Sequence, residues 1–337
     1  MHRIIAKYFL LLLLSFMCLT LISCTRAYDT KPISETRLLL DTVCSVTVYD
    51  PDEQPLLAEA LDLCAKYESL YSRTMEGSDI WRINHARGIP VTVEASTSGL
   101  IKTALDYSVL SGGWFDITVG RLCALWDFSG NPSVPPPAEL AAVRDTVDYR
   151  QVFVDGDTVW LGNAQAWLDL GGVAKGYIAD QIAGFLKEHG VKNAIIDLGG
   201  NIVTVGSKPG GDLWRIGVDQ PFSSRSEIIG SLSVGEASVV TSGIYERQFV
   251  DNGISYHHIL NPATGMPVDS DVVSVTIVSE SSTAGDALST IVLLLGSEKA
   301  APLLEQTPGL MGAVLMLKSG ELLQYGDITF TASYGGN

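Results

Sequence analysis

The chain has 337 residues with 46% apolar content, long enough for one large domain or two closely joined ones and too apolar for general disorder. Its 22 basic residues against 38 acidic ones leave a formal charge of −16, which argues against nucleic acid as a partner and against broad electrostatic attachment to anionic lipid. Cys44, Cys64 and Cys123 have neither zinc-like spacing nor the even count of a disulfide framework, and read as small buried apolar residues.

The N terminus, "MHRIIAKYFLLLLLSFMCLTLISC", starts with Arg3 and Lys7 and continues as an apolar run from Tyr8 to Ile22. That run is too short for a comfortable membrane span, so residues 1–23 are expected to be an export signal. Its end, Leu21-Ile22-Ser23-Cys24, resembles the lipobox of bacterial lipoproteins. The resemblance implies lipidation at Cys24, a protein exported and held on the extracytoplasmic face of the cell membrane by its lipid anchor, and a polar tether over residues 24–36. The other reading is an ordinary cleavage site beside an incidental cysteine. Removing the leader takes away Arg3 and Lys7 and no acid, which moves the formal charge from −16 to −18.

Residues 38–50, "LLLDTVCSVTVYD", alternate as a strand, and apolar positions at helical spacing predict a helix over 55–72. "EGSDIWRIN" follows as a loop and short helix, and a further helix over 96–111 is closed by Gly112-Gly113 before "WFDITVGRL". "SGNPSVPPPAEL" is the clearest loop. From 151 the pattern changes to short strands: "QVFVDGDTVWLG", "AWLDLGG", "NAIIDLGGNIVTVG", "LWRIGVD" and "IIGSLSVGEASVVTSG". Between the two Asp-Leu-Gly-Gly copies, Val173, Tyr177, Ile178, Ile182, Phe185 and Leu186 form one face of a helix ended by Gly190. "SVTIVSESSTAGDALSTIVLLLG" reads as a strand and then a helix begun near Ser282 or Thr283, so the fold class is α+β.

The first copy, at Asp169, runs into that helix. Gly171-Gly172 therefore gathers free N–H groups and the positive helix end, with Lys175 one turn inside, an arrangement suited to phosphate and equally to a plain strand-to-helix turn. Asp169 either accepts hydrogen bonds from a nucleotide or caps the helix. In the second copy Gly199-Gly200-Asn201 is read as close backbone approach to the first copy or to a ligand.

Asp286 and Thr290 share a helix face, a hard-oxygen pair suited to Mg2+ or, alternatively, a helix-start acid and a hydroxyl bonded to its own backbone. Of His257 and His258, only one can face a given site, and a histidine beside phosphate and metal candidates suits base chemistry. Glu246 and Arg247 are expected to be a solvated pair, and Thr241 and Ser242 turn formers.

In order, "SDIWRIN", "GGWFDITVGRLCALWDF", "LDLGGVAKGYIAD", "IIDLGGNIVTVG", "TSGIYER", "HHILNPATGMP" and "GDALST" resemble the ApbE family of flavin transferases over roughly residues 37–330. The resemblance implies a T-fold-like α+β architecture with mixed or antiparallel sheets flanked by helices. It implies an enzyme that takes FAD, uses Mg2+ and transfers FMN to a Thr or Ser hydroxyl of a partner flavoprotein, a redox-complex subunit or extracellular electron carrier, releasing AMP.

Carried onto this sequence, Asp169, Lys175, Trp114, Phe115, Asp116, Ile259 and Leu260 would contact FAD. Gly172 through its carbonyl, Asp286, Thr290 and Ser289 would hold the metal, and His258 would be the general base. Ser72-Arg73-Thr74 departs from the family, some members of which have an aromatic residue there. Two other activities compete: an FAD pyrophosphatase giving FMN and AMP, and a non-catalytic flavin-binding lipoprotein.

Overall fold

A computed structural model describes residues 31–223 and 227–333. The leader, the Cys24 lipidation site and most of the expected tether lie outside the described residues. In chain order the elements are β1 (Ile33–Leu39), β2 (Thr42–Val48), α1 (Gln54–Tyr71), α2 (Asp79–His85), β3 (Val91–Thr92), α3 (Ala95–Leu110), α4 (Gly120–Trp126) and α5 (Pro137–Arg144). Next come β4 (Val152–Asp155), β5 (Thr158–Leu161), α6 (Ala174–Glu188), β6 (Ala194–Leu198), β7 (Asn201–Val205), β8 (Trp214–Asp219), β9 (Ile228–Val234) and β10 (Ala237–Gly243). The chain continues through β11 (Gln248–Asp251), β12 (Ile254–His257), β13 (Val272–Ser279), α7 (Ser282–Leu295), α8 (Ser297–Gln306), β14 (Leu310–Leu317), β15 (Leu322–Gly326) and β16 (Thr329–Ala332).

The centre is an eight-stranded sheet in the order β1-β2-β6-β7-β10-β13-β14-β15, with antiparallel pairing throughout. Helices α1, α6 and α7 cover one face, and their core includes Leu61, Ile178, Ile182, Val275, Ile277 and Ile291. The small sheet β16-β9-β8 packs against the other face through Trp214, Ile216 and Leu232 on Val239, Val278 and Val314. A strand covered on both faces needs no polar side, which is why every residue of β13 is buried. The architecture is α+β with antiparallel sheets flanked by helices, as expected. Among the described residues no helix is long and apolar enough to cross a membrane.

Three local readings change. Residues 38–50 are not one strand: Leu40 and Asp41, at φ of +55° and +58°, turn β1 into β2. Leucine rarely adopts that conformation, so no turn signal stands in the sequence; the Leu40 N–H donating to Glu68 Oε1 at 2.8 Å helps hold it. β1 also starts at Ile33, so the expected tether boundary at residue 36 falls inside the fold. "AWLDLGG" is not a strand either, since its one ladder contact is the parallel bridge of Trp167 to Val119.

A third apolar cluster joins α4 and α5 to the hairpin of β11 and β12, with Trp126 fully buried among Leu122, Leu140 and Leu260 and lying against Phe249 and Tyr256. The Trp126 indole N–H donates to the Gly265 carbonyl at 2.8 Å. This cluster seats the hairpin whose base carries His258.

Candidate active site

The first glycine pair fits its place by size. Neither Gly171 nor Gly172 is in the left-handed region, but a Cβ on Gly172 would lie 2.7 Å from the Phe115 ring and 3.6 Å from Thr290 Oγ1. Thus Gly172, Phe115 and Thr290 meet at the entry to α6. Asp169 folds this turn from outside, its Oδ1 accepting the Gly171 N–H at 2.7 Å and its Oδ2 pairing with Arg73 Nε at 2.9 Å. Arg73, the departure from the family pattern, is therefore the direct partner of Asp169.

Helix α7 supplies the facing wall. Asp286 is buried, its Oδ2 accepts the Gly176 N–H at 2.9 Å, and Oδ1 has no hydrogen bond among the described residues. Burial pushes its carboxyl pKa up against the opposing pull of Lys175 and the Gly176 N–H. Thr290 is half-buried, with only a 3.4 Å contact from Oγ1 to the Asp286 carbonyl. A carboxylate oxygen with no donor among the described residues, a hydroxyl and the Gly172 backbone form a hard-oxygen set that fits Mg2+. No cluster of three His, Cys, Asp or Glu suited to a metal exists among the described residues, so a cation here would keep positions for water or phosphate oxygens. Ser289 faces elsewhere: fully buried, it donates to the Asp286 carbonyl at 2.9 Å and meets Ser242 Oγ at 2.8 Å.

His258 stands at the base of the hairpin, where its N–H and its ring Nδ1 both reach the Arg247 carbonyl, at 3.1 and 3.3 Å. A carbonyl only accepts, so Nδ1 carries the proton and Nε2 is left with the lone pair of a base. Surrounding protein first, then the Arg247 and Lys175 charges, push the imidazole down to about 4, so it is neutral at physiological pH. His257 is buried on the opposite side, with Nε2 at 3.1 Å from the Val268 carbonyl. The two rings therefore divide as side chains alternating along a strand should.

The Lys175 charge acts on Asp286, Glu246 and His258, so the three lie within its electrostatic reach. Glu246 and Arg247 are both exposed, as a solvated pair should be, and the surrounding protein raises the Glu246 carboxyl pKa against the nearby Lys175 and Arg247. Thr241 and Ser242 are strand residues of β10, not turn formers, and their hydroxyls bond Thr276 and Ser289.

The remaining expected contacts divide. Phe115 walls the Gly172 turn, whereas half-buried Trp114 lies under Lys299 Nζ, 5.0 Å from its ring centre. Asp116 is occupied by the Thr118 N–H and hydroxyl of its own loop and by the distant Tyr149 N–H. Ile259 and Leu260 are buried in the main core and the Trp126 cluster. In the second Asp-Leu-Gly-Gly copy, Gly199-Gly200 is the β6–β7 hairpin turn, and the close approach at Gly199 is to Thr42 rather than to the first copy. Its next residue does reach the site's wall, because Asn201 Oδ1 accepts the Ser282 hydroxyl of α7 at 2.6 Å.

The ApbE family profile matches residues 40–315. An FAD:protein FMN transferase of Klebsiella pneumoniae is 36% identical over 300 residues, spanning 88% of this chain and 92% of that protein. One of Treponema pallidum is 35% identical over 309 residues, spanning 85% of each. The ApbE protein of Thermotoga maritima superposes with a TM-score of 0.81 at 31% identity, covering 88% of this chain and 97% of that one. The flavin transferase ApbE of Vibrio cholerae does so at 0.77 and 26% identity, covering 90% and 97%. The family profile spans most of the chain, the relatives match along nearly their whole length, and the same fold carries them: the chain belongs to the ApbE family.

Proposed function

We propose that the protein is an FAD:protein FMN transferase, moving FMN from FAD to a Ser or Thr hydroxyl of a partner flavoprotein with release of AMP. The observation that carries this reading is that α7 brings Thr290 against the Gly172 turn and Asp286 against the Gly176 N–H at the start of α6, with the Lys175 charge within electrostatic reach of Asp286 and of a neutral His258.

The N–H groups of Gly171, Val173, Ala174 and Gly176 already have partners, so in this reading it is the positive end of α6 and the Lys175 charge that hold the pyrophosphate of FAD. The Gly172 carbonyl, Asp286 and Thr290 would hold Mg2+. A divalent cation there supplies neutralisation of charge on the pyrophosphate oxygens. His258 Nε2 takes the proton of the acceptor hydroxyl, whose oxygen forms a bond to the FMN phosphorus while the bridging P–O bond to AMP breaks. The Arg247 carbonyl, by holding Nδ1–H, keeps Nε2 the basic atom. Phe115, packed over Gly172, keeps water from the back of the turn. Export and anchoring through Cys24 are proposed on the leader and the Ser23-Cys24 junction.

The test is intact-mass analysis of a candidate acceptor domain incubated with the chain, FAD and Mg2+, alongside AMP detection. One FMN on the acceptor with matching AMP supports transfer. AMP with free FMN indicates a pyrophosphatase, and neither product indicates a flavin-binding protein without catalysis.

A further inference from the structure

Helix α7 carries Asp286 and Thr290, and its first turn is capped by another helix. Asp180, on α6, accepts the Ser282 N–H on Oδ1 at 2.7 Å. Its Oδ2 accepts the Ser281 hydroxyl at 2.8 Å, the Thr283 N–H at 2.9 Å and the Thr283 hydroxyl at 2.7 Å. The first N–H groups of a helix have no partner within it, and a carboxylate there also meets the positive helix end. Such a cap normally comes from the residue preceding the helix. Here Ser281 performs that local role toward Ala284, while Asp180 adds a second cap from outside.

One turn earlier on α6, Gly176 lets the two backbones touch, since a Cβ there would lie 2.8 Å from Thr283 Cα and collide with the Ser282 carbonyl. The Gly176 N–H donates to Asp286 itself. From the far side, Asn201 takes the Ser282 hydroxyl. The start of α7 is thus fixed to the helix that begins at the Gly172 turn, and Asp286 comes one turn later.

We propose that Asp180 is a positioning residue for the divalent-cation site: by taking the donors of Ser281, Ser282 and Thr283 it sets the spacing between α6 and α7 that brings Asp286 and Thr290 to the Gly172 turn. The proposal rests on the cation reading above. Residues behind metal ligands set their geometry, and their loss usually weakens metal binding by about 10- to 100-fold.

The test measures Mn2+ binding to the full chain by electron paramagnetic resonance of the free ion, with folding followed by circular dichroism. Asp180→Ala is expected to weaken Mn2+ binding by about tenfold or more, and Thr283→Val, which removes one donor, by a few-fold. Asp271→Asn is the control, because Asp271 caps α8 through the Ser297 N–H and hydroxyl and touches no part of the site. It should lower the melting temperature without changing Mn2+ affinity. If Asp180→Ala fails to fold, Thr283→Val carries the test. Unchanged Mn2+ affinity in the folded variants, or equal weakening by Asp271→Asn, overturns the positioning role alone. A parent chain that binds no Mn2+ overturns the cation reading and the positioning role with it.

Discussion

In the first Asp-Leu-Gly-Gly segment, Gly172 has an ordinary backbone conformation and is small because the Phe115 ring occupies the space a Cβ would need. In the second, Gly199 and Gly200 stand at φ of +69° and +94° and are glycine because the hairpin turn requires it. Asp169 folds a turn that opens into a helix and pairs with Arg73; Asp197 accepts the Gly200 N–H and closes a hairpin. The same four residues therefore give a strand-to-helix turn, the proposed site, in one place and a strand connection in the other. The residues next in the chain decide the difference: Lys175 and a helix after the first copy, Asn201 and β7 after the second.

The sharpest way to break this contrast is to remove the acid that faces the first copy. Asp286→Ala should lower FMN transfer by on the order of a thousandfold, read by acceptor mass, because the proposed cation set loses its carboxylate. His258→Ala should reduce kcat by about 10²- to 10⁴-fold. In the parent the ring stays neutral until pH falls to about 4, so the acid limb of the rate profile attributable to His258 belongs there.

Linkage gives the same residue a stability signature. Its folded pKa lies below the ordinary 6.5, so the stability it contributes is present above pH 6.5 and is lost as pH falls from there through about 4. Denaturant melts of parent and His258→Ala across that window should differ in slope with that sign.

Smaller effects separate the two glycine turns. Gly172→Ala forces the Phe115 ring to move and should cost about 10- to 100-fold in activity, by shifting the turn away from Thr290. Gly200→Ala meets open space but a left-handed backbone, so it should cost about 1–2 kcal/mol of stability in urea melts while activity per folded molecule stays near that of the parent. Equal losses of activity in both variants would erase the distinction.

Much of this contrast was legible in the sequence. The helix over 174–188, the shared face of Asp286 and Thr290, and the opposition of His257 and His258 stem from local periodicity and are borne out by the fold. Long-range pairing was not legible. Nothing near Arg73 in the chain announces Asp169, and nothing in "GYIAD" announces that Asp180 caps a helix a hundred residues later. Asp116 looked available because its partners at Tyr149 are assembled only by the fold. The Leu40–Asp41 turn escaped for a different reason, since leucine at positive φ leaves no mark in composition.

The measurement that bears most directly on the first segment as the site is an anomalous difference map from crystals of the chain grown with FAD and Mn2+. A single strong peak bounded by the Gly172 carbonyl, Asp286 and Thr290, with the FAD pyrophosphate against the start of α6, is the expected result. A peak anywhere else, or FAD bound away from that turn, would contradict it.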